Sequence, residues 1–351
     1  MSVTVAVDAN GADLGPAEVA AGAALAAQQG VSVLLFAPAV EVGEVAVGVE
    51  LIDAPISIAK APDPVRAVRA APDASIVLAT RAVAEGRADA FVSGGSTGPA
   101  LAAALFNIKR APGIHRPALA IPVPIPDHPV TIVDVGANTE VRPEHLVQFG
   151  FMGAALAQTV LGVARPRVGL LSIGEEATKG TPLVVEAHAA LRDRLAEGGA
   201  FDFVGNVEGN EVPAGKADVV VTDGFTGNIA LKLMEGVSEA MLRNIRDVAT
   251  SSRRAKAGGM LLRPALLEFR DVIDPESNGG AYLLGLRRLG VVPHGRFGRA
   301  GIAQAILLAA RGVRGDIVER THATLEDAGA LRRPPAAHAT SSEPPSTVAS
   351  P

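Results

Sequence analysis

The chain has 351 residues, is 48% hydrophobic and 3% aromatic, and carries a formal net charge of −5. Its lack of cysteine excludes disulfides, thiolate zinc sites, iron–sulfur clusters and an enzyme thiol as nucleophile. The acidic balance and the scarce aromatic rings argue against nucleic-acid binding. We find neither a signal peptide nor an apolar stretch of about 18 residues, and therefore expect a cytoplasmic protein.

Short apolar runs alternate along the chain with longer Ala- and Leu-rich segments of helical spacing. The predicted strands are Val3–Val7, Val31–Phe36, Ala90–Val92, Val130–Val133, Val168–Ile173 and Ala217–Thr222. The predicted helices are Pro16–Gln29, Asp73–Glu85, Pro99–Asn107, Pro143–Val160, Leu183–Ala196 and Asn228–Val248. Apolar strands between helices are typical of a mostly parallel sheet covered on both faces, so the predicted fold class is α/β.

Two segments depart from this alternation. Residues 251–274 mix basic with large apolar side chains, and the chain after Leu331 is rich in Pro, Ala, Ser and Thr. We expect one domain over residues 1–330 and a disordered tail over residues 331–351.

Small, glycine-containing polar loops follow five of the predicted strands. They are Asp8–Asp13, Ser93–Gly98, Asp134–Asn138, Gly174–Glu176 and Asp223–Asn228. Because parallel strands deliver their carboxyl ends to one edge of a sheet, we expect the five loops to line one cleft. Glycines and helix N-termini favour an anionic ligand. The alternative for each single loop is an ordinary tight turn with a helix cap.

Few other residues in these loops suggest a specific chemistry. Lys179 is the nearest cation, and Glu175 with Glu176 forms an acidic pair. The histidines lack the spacing of a zinc site, and no G-x-S-x-G elbow presents a serine nucleophile. Composition and spacing therefore predict an anion-binding α/β enzyme that handles phosphate.

The loop sequences resemble the bacterial phosphate acyltransferase family in chain order from about Val3 to Arg311. The matching blocks are VAVDANGAD, SGGSTGPALAAALF, PGIHRPALA, DVGANTEVRPEHLVQF, RPRVGLLSIGEEATKG, FVGNVEGNEVPAGKADVVVTDGFTGN and GGAYLLGL. The resemblance implies a three-layer α/β/α fold akin to phosphotransacetylase and isocitrate dehydrogenase, in a homodimer without metal or cofactor. It also implies transfer of a long acyl chain from acyl-carrier protein to inorganic phosphate. A membrane glycerol-3-phosphate acyltransferase would then use the acyl phosphate.

Under this resemblance Lys179 binds and neutralises phosphate, and Asn228 donates a hydrogen bond to phosphate or to the oxyanion. The backbone N–H groups of residues 224–227 are expected to help bind the anion. The substrate-binding or phosphate-binding candidates are Asp8, Asn10, Gly95, Ser96, Thr97, Gly98, Asn138, Asp223, Gly224, Thr226, Gly227 and His294. Arg296 and Phe297 stand where the family usually has two serines.

The basic-apolar segment contains one amphipathic face. Leu262, Leu266, Phe269 and Ile273 fall at helical spacing, which predicts a helix that starts near Pro264. Arginines and a lysine surround this face. We expect Leu262, Leu266 and Phe269 to contact an anionic membrane, so that the protein associates peripherally with it. The alternative is an ordinary dimer or core helix.

Other functions remain open at this point. The first is a short-chain phosphate acetyl- or butyryltransferase that uses coenzyme A. The second is a dehydrogenase on the same fold, and the third is a non-catalytic module that binds acyl phosphate or carrier protein.

Overall fold

The computed structural model describes residues 2–126, 128–196, 198–273 and 275–332. Its strands are β1 (Val3–Asp8), β2 (Val31–Ala37), β3 (Val49–Asp53), β4 (Ala90–Ser93), β5 (Ala118–Val123), β6 (Val130–Val133), β7 (Arg167–Leu171), β8 (Asp202–Val207), β9 (Val219–Val221), β10 (Ala281–Leu284) and β11 (Leu289–Val292). Its α-helices are α1 (Pro16–Ala27), α2 (Ala39–Val42), α3 (Pro64–Ala70), α4 (Ser75–Ala84), α5 (Thr97–Asn107), α6 (Pro143–Val160), α7 (Pro182–Arg194), α8 (Gly224–Thr250), α9 (Arg253–Ile273), α10 (Arg299–Arg314) and α11 (Ile317–Asp327).

Local sequence signals set several helix starts. Proline is the first residue of α1, α6 and α7, where its missing N–H costs no helical hydrogen bond. Thr181 caps α7, and its hydroxyl accepts a hydrogen bond from the Val184 N–H. The predicted strand 130–133 and helix 143–160 are confirmed to the residue.

The strands form one sheet in the order β3-β2-β1-β4-β11-β10-β5-β6-β9-β7-β8. Most neighbouring strands are parallel, as predicted. The antiparallel pairs are β11–β10, β10–β5 and β5–β6, all in the middle of the sheet. Strands β6, β9, β7 and β8 therefore run opposite to β3, β2, β1, β4 and β11.

Helices cover both faces of the sheet. Along β1, Val5 and Val7 belong to one apolar core and Ala6 to the other, as the alternation of side chains in a strand requires. Helices α1, α6, α7, α10 and α11 pack on the first face, and α3, α4 and α5 pack on the second. The three α/β/α layers are confirmed.

The expectation that five polar loops share one edge is wrong. The loops after β1 and β4 leave one edge, here called the first edge. The loops after β6, β7 and β9 leave the opposite edge, here called the second edge. The cause is the antiparallel centre, which reverses the direction of the second group of strands.

Helices α8 and α9 form a helical arm joined by residues 251 and 252. The predicted start of α9 near Pro264 is wrong, because the helix begins at Arg253 and contains this proline at an exposed position. No helix in the described part of the chain is long and apolar enough to cross a membrane. The predicted disordered tail lies outside the described residues from position 333 onward.

Candidate active site

A buried carboxylate organises the loop after β6. Asp134 Oδ1 accepts hydrogen bonds from the N–H groups of Leu119, Gly136 and Ala137, at 2.9–3.1 Å. Its Oδ2 accepts from the backbone and side-chain N–H groups of Asn138, at 2.7 and 2.8 Å. Burial raises the pKa of Asp134, and these donors oppose the rise because they stabilise the carboxylate. The loop is consequently held in one shape.

The start of α8 packs directly on this loop. Asn228 Nδ2 donates a hydrogen bond to the Val135 carbonyl at 3.0 Å. A Cβ at Gly227 would lie 2.0 Å from the Asp134 carbonyl oxygen, so only glycine allows this approach. We call this second-edge group the Asp134 cluster, which consists of Asp134, Asn138, Gly224, Gly227 and Asn228.

The N–H groups at the start of α8 already have acceptors within the protein. Gly224 donates to the Asn138 carbonyl at 2.8 Å, and Gly227 to the Asp223 carbonyl at 2.9 Å. Asp223 caps the helix: its carboxylate accepts from the N–H and the hydroxyl of Thr226, at 2.8 and 2.7 Å. The expectation that residues 224–227 offer free N–H donors to phosphate is therefore wrong for these three.

Lys179 lies in the loop after β7, at the second edge. Its side chain is exposed, and its carbonyl accepts a hydrogen bond from Ser172 Oγ at 3.1 Å. The nearby Lys216 forms ion pairs with Glu175 and Glu211, at 2.6 and 2.7 Å. Lys179 forms no ion pair with any described residue, so its ammonium group is available to an anion.

A second buried carboxylate organises the first edge. Asp8 accepts hydrogen bonds from Ser75 Oγ at 2.6 Å, Ser93 Oγ at 2.7 Å and the Asn10 N–H at 3.2 Å. Burial raises its pKa to about 6, against the lowering effect of those donors. Ser93 Oγ in turn accepts from the Gly95 N–H at 3.3 Å. These residues form the Asp8 cluster, in which the carboxylate orders the loops.

The start of α5 lies beside the Asp8 cluster. Asn10 Nδ2 donates to the Ala54 carbonyl at 2.7 Å, so this side chain also serves to order a loop. Helix α5 begins at Thr97, and the side chain of its N-cap residue, Ser96, makes no capping hydrogen bond but donates to the Ala59 carbonyl. Ser96 and Gly98 are exposed there. This helix start is the first-edge feature that suits an anion.

His294 also lies at the first edge. Its Nδ1 accepts a hydrogen bond from the Arg296 N–H at 3.4 Å, and its ring stacks on Phe297 at a centroid distance of 6.2 Å. The Asp13 N–H donates to the neighbouring Gly295 carbonyl at 2.8 Å.

The predicted site residues fall into two sets at opposite edges of the sheet. The first-edge set consists of Asp8, Asn10, Gly95, Ser96, Thr97, Gly98 and His294. The second-edge set consists of Asn138, Lys179, Asp223, Gly224, Thr226, Gly227 and Asn228.

Sequence reasoning assigned no role to several polar residues of the two clusters. Asp134 could have been found, because it directly follows a buried strand within a sequence block that resembles the family. Ser75 carried no signal, since its partner Asp8 lies 67 residues away.

Two histidines and a glutamate also meet near the second edge. Candidate ligand atoms of His115, Glu144 and His145 lie within 4.8 Å of one another. His145 Nδ1, however, accepts the Arg142 N–H at 3.1 Å. The neutral ring then carries its proton on Nε2 and has no free lone pair for a metal ion.

Comparison with known proteins adds independent evidence. A family model described as a fatty acid synthesis protein matches residues 3–320. The phosphate acyltransferase of Nitratidesulfovibrio vulgaris is 41% identical over 327 residues, which cover 91% of this chain and 94% of that protein. The phosphate acyltransferase of Heliobacterium modesticaldum is 41% identical over 323 residues, with 90% and 95% covered. A solved phosphotransacetylase from Staphylococcus aureus has the same fold, with a TM-score of 0.59, 19% identity and coverage of 89% and 94%.

Proposed function

The chain belongs to the phosphate acyltransferase family, and from this premise we propose that it transfers a long-chain fatty acyl group from acyl-carrier protein to inorganic phosphate. The observation that carries the proposal is that the Lys179 ammonium, which pairs with no described acidic residue, lies at the same sheet edge as the fixed Asn228 amide. The named relatives are transferases, which removes support from the dehydrogenase alternative.

The reaction needs no nucleophile from the enzyme. An oxygen of hydrogen phosphate attacks the thioester carbonyl carbon and forms a new C–O bond. The C–S bond then breaks, and the thiolate that leaves takes up the proton released by phosphate. The products are acyl phosphate and the free thiol of the carrier, so the task of the enzyme is positioning and charge stabilisation.

The second-edge residues suit these two tasks. Lys179 attracts the phosphate dianion and offsets its charge beside the thioester. Asn228 uses one N–H for the Val135 carbonyl, and its second N–H stabilises the oxyanion of the tetrahedral intermediate. Asn138 is already engaged with Asp134 and Pro117, so its role is to hold the loop.

The first-edge residues have a different role in this proposal. The Asp8 cluster fixes the loop that ends in Ser96, Thr97 and Gly98, and the start of α5, which Ser96 does not cap, is a second place for an anion. His294 borders this same edge.

The arm helix α8 carries an apolar stripe that suits a homodimer. Phe225, Ile229, Leu233, Val237 and Met241 recur every four residues, and all are exposed. Such a stripe along one helix packs well against the same stripe of a second copy.

Helix α9 is the part of the arm that contacts the membrane. Leu261 and Phe269 are 85% and 42% exposed, and Leu262 is exposed as well. The contacts predicted from the sequence were Leu262, Leu266 and Phe269. Leu266 is half-buried in a groove against α8, so it is the weakest of these three. Arg253 and other α9 cations surround these residues and attract anionic lipid. Contact with the membrane would deliver acyl phosphate to the glycerol-3-phosphate acyltransferase there.

The decisive experiment incubates the protein with palmitoyl-carrier protein and phosphate and measures acyl phosphate. Formation of acyl phosphate, dependent on added phosphate, supports the proposal. Turnover of acetyl-coenzyme A with no turnover of palmitoyl-carrier protein would instead support the short-chain enzyme. Binding of carrier protein without turnover of either thioester would support a binding module.

A further inference from the structure

Seven exposed cations converge at the second edge. They are Lys109, Arg110, Arg116, Arg142, Arg287, Arg288 and Arg332, here called the basic patch. None of them forms an ion pair with a residue that the structure describes. Since the whole chain carries a net charge of −5, this concentration of unpaired positive charge is a local feature.

Backbone hydrogen bonds hold the basic patch together. The Arg287 N–H donates to the Lys109 carbonyl at 3.0 Å, which joins the β10–β11 turn to the loop after α5. The Arg332 N–H donates to the Gly113 carbonyl at 2.7 Å, and Gln148 Nε2 donates to the same carbonyl at 3.0 Å. Four separate segments therefore present their cations on one preformed surface.

The positive potential of this surface affects the pKa of His115. Burial lowers its pKa, and Arg332, Arg110 and Arg142 lower it further, against the opposing effect of Glu144. The patch favours a negatively charged partner and disfavours a bound metal cation.

The basic patch adjoins the Asp134 cluster. Asn138 Nδ2 donates to the Pro117 carbonyl at 2.7 Å, and Arg116 directly precedes this proline. Arg142 is the N-cap of α6, four residues after Asn138. A partner bound to the patch would therefore lie beside the Asn228 amide that we assign to the reaction.

The composition of the patch distinguishes among anionic partners. The exposed large apolar side chains of the described chain are concentrated on the arm, and Phe106 is the one closest to the patch in sequence. A bilayer contact would need inserted apolar groups, and a nucleic acid would favour aromatic rings for stacking. A folded acidic protein needs neither.

We propose that the basic patch docks the carrier protein through a complementary acidic surface of that partner, and so brings its acyl thioester to the second-edge site. This inference rests on the proposed function. Charge pairing at such a surface speeds the encounter and orients the partner, and the reaction itself takes place at the neighbouring Lys179 and Asn228.

The test reverses two patch charges that take part in no described side-chain bond. Arg288→Glu/Arg332→Glu is compared with Lys232→Glu/Arg246→Glu, a control at exposed positions of α8 with the same change in net charge. We expect the patch variant to raise KM for palmitoyl-carrier protein about 10-fold or more. Its kcat and its KM for phosphate should match those of the wild type, and the control should retain all three values.

Each other outcome identifies what has failed. An unchanged KM for palmitoyl-carrier protein overturns the docking surface, as does an equal change in the control. A loss of kcat or of phosphate affinity at unchanged carrier KM also overturns it, because the patch then acts inside the site. Loss of binding to phosphatidylglycerol vesicles with unchanged carrier KM identifies a membrane face instead. If the wild type shows no turnover, the proposed function fails. The docking surface is then tested by binding alone: equal affinity of wild type and patch variant for holo-carrier protein would overturn it.

Discussion

The side-chain amide of Asn228 donates a hydrogen bond to the carbonyl oxygen of Val135 at 3.0 Å, between residues 93 positions apart. This bond joins the loop after β6 to the start of α8. One N–H of the amide is thereby fixed, and the direction of the other follows from the planarity of the amide. A preoriented donor costs little reorganisation when an oxyanion forms.

Asn228→Ala should lower kcat for acyl phosphate formation by about 10²- to 10³-fold, because an oxyanion donor is lost. KM for phosphate should change little. The measurement is initial rate at saturating palmitoyl-carrier protein, with Asn244→Ala on the exposed part of α8 as control. A near-normal kcat in Asn228→Ala would remove this residue from the mechanism.

Lys179→Ala should reduce kcat/KM for phosphate by roughly 10²-fold, since a charged partner of the nucleophile is removed. Lys179→Arg should retain part of the activity because it keeps the charge. The rate is measured as a function of phosphate concentration, with Lys232→Ala as the control for an exposed lysine. Equal phosphate dependence in Lys179→Ala and the wild type would refute the role.

Gly227→Ala should destabilise the protein by about 1–3 kcal/mol, because its Cβ would overlap the Asp134 carbonyl. Gly236 lies on the same helix, and a Cβ added there would meet no other atom within 4 Å, so Gly236→Ala should stabilise by about 0.5–1 kcal/mol. Urea unfolding measures both. Opposite signs are expected, and equal effects would contradict the tight contact.

Asp8 should make stability depend on pH. Burial raises its pKa from 3.8 to about 6, so the folded state binds more protons than the unfolded state between these values. The free energy of unfolding should therefore fall as pH rises from about 4 to about 6, by about 3 kcal/mol from this group.

Asp8→Asn removes the titrating carboxyl group and should flatten that profile. The measurement is urea unfolding of wild type and variant from pH 4 to pH 7. The difference between the two profiles isolates Asp8 from other groups, and parallel profiles would rule out a raised pKa at this position.

The exposed apolar residues of α9 should determine membrane binding. Leu261→Glu/Phe269→Glu is expected to abolish flotation with phosphatidylglycerol vesicles, because it places two anions on the face assigned to lipid. Val40 and Val47 are 95% and 98% exposed outside the arm, so Val40→Glu/Val47→Glu is a matched control. Flotation of the α9 variant at the wild-type level would show that lipid binds elsewhere or not at all.

Periodicity and helix-cap signals predicted much of the layered architecture. Pro143 marked the start of α6, and the apolar run that begins at Val130 gave β6 its bounds. Pro264 misled the prediction of α9, because an exposed proline is tolerated inside a long helix at a cost in stability.

The direction of the strands could not be read in the same way. An apolar run has the same pattern whether it runs with or against its neighbour, and the reversal depends on β10, which comes from far along the chain. Residues such as Lys179 and Asn228 were recognisable from loops that resemble a family. Their separation from the Asp8 cluster depends on pairings such as Ala120 with Val133, which no local pattern indicates.

The pairing of β4 with β11 affects how the protein can fold during synthesis. Ala90 pairs with Leu289, and α1 packs against α10, so the first half of the sheet needs strands and a helix from near the end of the chain. A ribosome-bound chain that ends at Thr250 would expose the apolar edge of β4 and one face of α1. Early intermediates should consequently depend on chaperones until the last strands emerge.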